Sequence, residues 1–256
     1  MDSFIGWIGG KKVLRDTIIS HFPEETPKRY IEVFGGAGWV MFRKEKVSGQ
    51  MEVFNDIDGN LINLYRCIKY HPEAVKKELE YIISSKELFC DFKEQLNMRG
   101  MTDIQRAARY FYLIKVSFGC KKGTFATRPK RPELPLNRFE EIQERLSGVV
   151  IENRDFEELI KLYDSCEALF YLDPPYHTTE KYYKGTDGCF FNTEDHIRLK
   201  DCLDNIKGKF ILSYNDDEFI RDMYKEYNIS GVERNNLLMS GGNSKKFKEL
   251  IIKNFL

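Results

Sequence analysis

The chain has no Cys-x-x-Cys pair, although it holds six cysteines, at 67, 90, 120, 166, 189 and 202. Its four histidines, at 21, 71, 177 and 196, stand apart from them. Zinc-ligand spacing is therefore missing and a disulfide framework has no signature, so free thiols and no metal site are expected. No apolar run reaches the roughly 18 residues of a membrane span. The amino terminus also lacks the charged, apolar, small-residue order of a secretory signal, so a cytoplasmic protein without a membrane partner is expected. Net charge is absent too: Lys plus Arg and Asp plus Glu number 40 each. Any contact with a polyanion must then come from a local patch and not from the field of the whole molecule. Internal repeats and low-complexity tracts are missing as well.

What is present is alternation. Tyr30 to Phe34 (YIEVF) reads as a short buried strand, GGAG as a turn, and Trp39 to Glu45 as the start of a helix. Met51 to Phe54 is a second strand, closed by Asn55-Asp56, and Leu61 to Lys69 is the helix after it. Further on come VVIEN (149 to 153), a helix from Phe156, ALFYL (168 to 172), a helix near Thr193 to Asn205, KFILSY (209 to 214) and KELIIKNF (248 to 255). Strands and helices in this order predict an α/β fold, an open, doubly wound and mostly parallel sheet with helices on both faces.

The middle of the chain is different. From Cys67 to Glu144 it is charged and helical in pattern, then turn-rich over FGCKKGTFATRPKRPELPLNRF (118 to 139). Between Gln105 and Arg138 nine basic residues face a single acid, Glu133, a local charge of nine minus one, or plus eight. Lys121, Lys122, Arg128, Lys130 and Arg131, interleaved with Phe118, Phe125 and Phe139, suit a nucleic-acid surface where cations meet phosphates and rings meet bases. A solvated loop is the alternative.

Two glycine turns frame a candidate ligand site. In FGGAG, Gly36, Ala37 and Gly38 follow Phe34 at a strand end and let backbone N–H groups approach a ligand closely. Asp56, followed by Ile57, ends the next strand and is placed to accept from ribose hydroxyls. Met41 stands where a dinucleotide fingerprint has its third glycine, which favours a nucleoside without a pyrophosphate over a nicotinamide cofactor. Plain strand-to-helix geometry is the alternative reading of the glycine turn. In FIGWIGGKK (4 to 12), Trp7, Gly9 and Lys11 share a tight turn, and Trp7 could equally be core. The cluster YLDPPY (171 to 176) closes an apolar strand with an acid, two prolines and an aromatic ring. Two prolines cannot extend a strand, but they fix φ near −65° and present rigid carbonyls with no competing N–H.

In this order WIGGK, EVFGGAG, NDID with NLINLY, and YLDPPY resemble the Dam-type DNA adenine-N6 methyltransferases, the alpha-ordered class of amino-methyltransferases. The resemblance runs over most of the chain. Ile8, Val33 and Asp58 stand where relatives usually carry alanine, proline and asparagine, and Phe118-Gly119-Cys120 where many carry Phe-Asn-Gly. The family implies the methyltransferase form of the doubly wound fold, with S-adenosylmethionine as cofactor. It implies a catalytic domain of residues 1–66 and 145–256 and a target-recognition insertion of residues 67–144. Asp56 would hold the ribose, the N–H groups around Gly36 and Gly38 the methionine portion, Lys11 its carboxylate, and Trp7 a wall. Asp155 and Phe156 would meet the cofactor adenine. Asp173 and the Pro174 carbonyl, with Pro175 rigid behind them, would accept the N–H groups of an extruded adenine stacked on Tyr176. Phe190, Phe191 and Tyr214 either line the target-base pocket or belong to the core. The expected partners are double-stranded DNA and a restriction endonuclease of the same site, in a bacterial or phage-infected cell. Cytosine-N4 methylation, a catalytically silent nucleic-acid-binding relative and an RNA substrate are the alternatives.

Overall fold

The computed structural model describes residues 1–127, 136–177, 191–235 and 246–256. Its strands are β1 (Arg29–Glu32), β2 (Met51–Asn55), β3 (Val149–Glu152), β4 (Ala168–Leu172), β5 (Lys209–Asn215), β6 (Asn228–Asn235) and β7 (Lys246–Lys253). They form one sheet in the order β3-β2-β1-β4-β5-β7-β6. The first five are parallel, and β7 runs antiparallel between β5 and β6. The predicted doubly wound, mostly parallel α/β sheet is thus the fold of this chain. Because β1 pairs with β2 on one side and β4 on the other, the winding reverses between β1 and β4. Open α/β sheets bind ligands at such a reversal, beyond the carboxyl ends of the strands.

The period of two along each strand divides the core between the faces. In β4, Leu169 and Tyr171 face one cluster, while Ala168, Phe170 and Leu172 face the other. All five are buried, as expected of a parallel strand covered on both sides.

Helices α1 (Arg15–Ser20), α2 (Trp39–Arg43), α3 (Gly59–Tyr70), α4 (Pro72–Leu79), α5 (Lys86–Gln95), α6 (Asp103–Val116) and α7 (Phe139–Leu146) contribute to the first cluster. α8 (Phe156–Tyr163), α9 (Thr193–Asp204) and α10 (Glu218–Met223) cover the second. Within the middle segment, α6 packs on α3, α4 and α5, and α7 packs on α3 and α4. α6 opens with a capping box between Thr102 and Gln105 and buries Tyr110, Phe111, Leu113 and Ile114 in the same core as the sheet.

A buried ion cluster joins the end of this segment to the sheet. Arg145 of α7 meets Glu52 of β2 at 2.7 and 2.9 Å and donates to the Met41 carbonyl, while Lys44 meets Glu52 at 2.8 Å. Burial alone would raise the Glu52 carboxyl, but the two cations bring it below its ordinary value.

Strands β1 to β5 lie where the sequence pattern put them, within a residue or two. β6, α1 and α10 were not read, and β7 begins before the predicted Lys248.

Candidate active site

The loops after β1, β2 and β4 and the turn Trp7 to Lys11 converge on one cavity of about 980 Å³. Gly36 and Gly38 adopt φ of 49° and 64°, the left-handed region that favours glycine. A Cβ on Gly36 would lie 2.8 Å from the Trp7 ring, so Trp7 packs directly on this backbone. Asp56 braces the same loop from β2: its Oδ2 accepts from the Gly36 N–H at 2.8 Å, and its Oδ1 from the Asp58 N–H at 2.9 Å. One acceptor position on each oxygen remains. Burial pushes the Asp56 carboxyl up to about 6, even though both backbone N–H groups and Lys122 oppose the shift. Asn55 ties the strand ends together, donating to the Val33 and Arg154 carbonyls and accepting from the Arg154 N–H. Ile57 is exposed, Phe34 half-buried and Ala37 buried at the edge of the same cavity.

At the end of β4, Asp173 is held from two sides. The Lys11 ammonium reaches its oxygens at 2.6 and 2.8 Å and the Gly9 carbonyl at 3.1 Å. All three donors of Lys11 are therefore directed at protein oxygens, where sequence reasoning set them against a ligand carboxylate. Ser213 of β5 donates to Asp173 Oδ1 at 2.9 Å. Three of the roughly four acceptor positions of this carboxylate are thus filled, and one remains on Oδ2. Burial raises the Asp173 carboxyl, with Lys11 opposing that shift and Glu249 adding to it. Pro174 is buried and Pro175 half-buried behind it. The Tyr176 hydroxyl donates to Glu249 of β7 at 2.7 Å, and the Lys11 ammonium sits 4.7 Å from the centre of its ring.

Asp155, Phe156 and their neighbours form the far end of the cavity. Phe34, Phe156 and Phe191 pack with ring centres 5.7 to 5.8 Å apart. Asp155 caps α8 by accepting from the Glu157 N–H, and Arg198 of α9 grips both its oxygens at 2.9 and 3.0 Å.

Residues 7–236 match the D12 class N6 adenine-specific DNA methyltransferase family. The chain belongs to that family. A type II methyltransferase of Lactococcus lactis subsp. cremoris, M1.LlaDCHI, is 29% identical across 98% of this chain and 95% of its own length. A DNA adenine methylase of Vibrio cholerae is 25% identical, covering 97% of this chain and 94% of the relative. The type II methyltransferase M.CviBI of a Paramecium bursaria Chlorella virus is 24% identical over the full length of both. The resemblance drawn from the motifs is thus established over nearly the whole chain, and adenine N6 is the atom that names the family.

Within this adenine methyltransferase, the expected nucleic-acid residues divide. Lys122 is turned inward: its ammonium meets Tyr110 Oη at 2.5 Å and Asp58 Oδ2 at 3.3 Å, and lies 4.6 Å from the Trp7 ring centre. Its own backbone has φ of 59°, beside the 3₁₀ turn Phe118–Cys120. Lys121 is exposed at the cavity rim. Arg128, Lys130 and Arg131 lie outside the described residues, as does Phe190. Tyr214 is fully buried and bonded to His196, so it belongs to the core, while Phe191 lines the cavity. Sequence reasoning missed Ser213, Glu249 and Arg198. A lone acid inside the apolar KELIIKNF run was the one visible signal, for Glu249; Arg198 had none.

Proposed function

We propose that this chain is a site-specific, S-adenosylmethionine-dependent enzyme that methylates adenine N6 in duplex DNA, with the target base extruded into the cavity described above. The observation that carries the reading is Asp173. Its carboxylate is fixed by Lys11 and Ser213 with one acceptor position left, beside Tyr176 and at the winding reversal of the sheet.

The residues present fit the cofactor. The Gly36 backbone borders the cavity with the Trp7 ring packed on it, and Asp56 keeps two acceptor positions where ribose hydroxyls can donate. Phe34, Phe156 and Phe191 offer an apolar, aromatic end for a purine. Once bound, the cofactor supplies a methyl group already activated by its sulfonium.

The protein's own part is alignment and charge complementarity. An exocyclic adenine amine is a weak nucleophile because its lone pair is delocalised into the ring. Asp173 Oδ2 accepts one N–H and the Pro174 carbonyl the other, which returns that pair to nitrogen. The Tyr176 ring stacks on the extruded base, and such stacking is worth about 1–3 kcal/mol against the few kcal/mol of unstacking. Holding two reactants in register can supply up to about 7–11 kcal/mol of a barrier. Lys11 orients the acceptor through its two short contacts with Asp173.

Residues 67–144 form the target-recognition part, with Lys121, Arg128, Lys130 and Arg131 on phosphates and Lys122 held inward; the local charge of plus eight supports this. The type II names of two relatives support a partner nuclease that reads the same site, and a cytoplasmic place suits that role. No helix among the described residues is long and apolar enough to cross a membrane.

Transfer of a labelled methyl group from S-adenosylmethionine to plasmid DNA, followed by nucleoside chromatography, tests the reading. Label in N6-methyladenine that disappears with Asp173→Ala is the expected result. Label in another base, or an alanine variant that keeps full transfer, would overturn it.

A further inference from the structure

Arg198 stands outside every motif, yet its guanidinium ties residues together at the far end of the cavity. Its guanidinium grips Asp155 through two parallel bonds of 2.9 and 3.0 Å. The same fork meets Asp195 Oδ1 at 2.9 Å and Glu157 Oε2 at 3.3 Å, and its Cζ lies 4.2 Å from the centre of the Phe156 ring. Asp195 is itself fixed, because its other oxygen accepts from the Asn192 N–H in the capping box of α9. The first turns of α8 and α9 are therefore joined, at the cavity wall, by one side chain.

Asp155 shows what this arrangement leaves open. A carboxylate has about four acceptor positions, two on each oxygen. Oδ1 takes the Glu157 N–H and one Arg198 N–H, and Oδ2 takes a second Arg198 N–H. A single position on Oδ2 remains, with a direction set by the planar guanidinium fork.

Stability does not explain the clasp. The Asp155 and Arg198 side chains are 33% and 40% exposed, and ion pairs at that exposure contribute little to folding. α8 and α9 already pack on each other, and Leu159, Leu199 and Leu203 lie fully or almost fully buried in one cluster.

We propose that Arg198 is a positioning residue for recognition of the cofactor's adenine, orienting Asp155 so that its one open acceptor position meets an N–H of the 6-amino group. The proposal rests on the S-adenosylmethionine reading and assigns the discrimination at its purine end to an arginine that touches the base only through its neighbours. A lysine is no substitute, because a point charge cannot grip both oxygens in one plane.

Calorimetric binding of two ligands tests it. S-adenosylhomocysteine carries the 6-amino group, whereas S-inosylhomocysteine presents an oxygen there, which would oppose the Asp155 carboxylate. The wild-type protein is expected to prefer the adenosyl ligand by about tenfold or more, the effect of one hydrogen bond to a charged group. Arg198→Ala should bring that preference close to unity, mainly by weakening the adenosyl ligand, while circular dichroism stays native. Arg198→Lys gives the same reading should the alanine variant fail to fold. A variant that keeps the wild-type preference overturns the proposal, whatever happens to its overall affinity, and so does a wild-type protein that binds both ligands equally. Failure of the wild-type protein to bind either ligand would instead contradict the cofactor reading beneath it.

Discussion

Asp56 and Asp173 are both carboxylates whose backbone or side-chain partners leave part of their acceptor capacity open, and their environments set when they can use it. Burial pushes Asp56 up to about 6. Ribose hydroxyls donate best to the ionised form, since a protonated carboxyl spends one position as a donor. Cofactor affinity should therefore rise with pH through about 6 and fall below it, by up to about tenfold per pH unit. Titrating S-adenosylhomocysteine from pH 5 to pH 8 measures this, and Asp56→Asn should bind more weakly with a flatter profile. Equal profiles in the two proteins would show that Asp56 is not the group that titrates. Lys11 illustrates the limit of reading residues one at a time. Its place beside a glycine turn was legible in WIGGK, but its partner was not, because Asp173 lies 162 positions away.

At the scale of elements, the turn after α6 fastens to the start of α3 and to the Trp7 turn through Lys122. That lysine stands between Asp58, the N-cap of α3, and the rings of Tyr110 and Trp7. A lysine on a DNA phosphate and a lysine fastening a loop respond differently to removal. Loss of a phosphate contact lowers the salt dependence of DNA affinity by about one unit of slope. Lys122→Ala should instead leave that slope unchanged and weaken S-adenosylhomocysteine, by roughly tenfold if it loses one charged contact. DNA affinity measured across a range of salt concentrations, with and without the substitution, decides between them.

The legibility of the elements follows the same division between local and distant causes. β1, β2 and β4 announce themselves as apolar runs closed by glycine, Asn-Asp or proline, and those closing residues are the ones that shape the cavity. Among the described residues β6 (Asn228–Asn235) pairs only with β7, and its NISGVERN carries two branched apolar residues among polar ones, so no strand period stands out. The antiparallel course of β7 is set by that pairing and by β5, and nothing within KELIIKNF encodes it. Arg198 and Glu249 act across the gaps between elements, on Asp155 and Tyr176, where sequence spacing carries no signal.

Over the whole molecule, the middle segment shares one core with the sheet, and the cluster of Lys44, Glu52 and Arg145 fastens its last helix to β2. All three side chains are less than a tenth exposed. Removing Arg145 takes away two bonds to Glu52 and one to the Met41 carbonyl and leaves Lys44 as the cation on Glu52, so Arg145→Ala should destabilise the protein by about 1.5–3 kcal/mol in urea unfolding. A loss under about 1 kcal/mol would mean that water replaces the guanidinium. The substitution lies away from the cavity, so at temperatures where it remains folded the variant should keep its methyl-transfer rate.

The account depends most on Asp173 acting as an acceptor. Asparagine at that position keeps the shape of the side chain and can still accept from Lys11 and Ser213 through its single oxygen, but it turns an NH₂ donor toward the place where the amine arrives. The most direct measurement is the single-turnover rate of methyl transfer by Asp173→Asn at saturating cofactor and DNA. The account predicts a fall of about 10²- to 10³-fold, the loss typical of one electrostatic contact made to a reacting group. S-adenosylhomocysteine and DNA affinities should change far less. A rate within a few-fold of the wild-type value would contradict it.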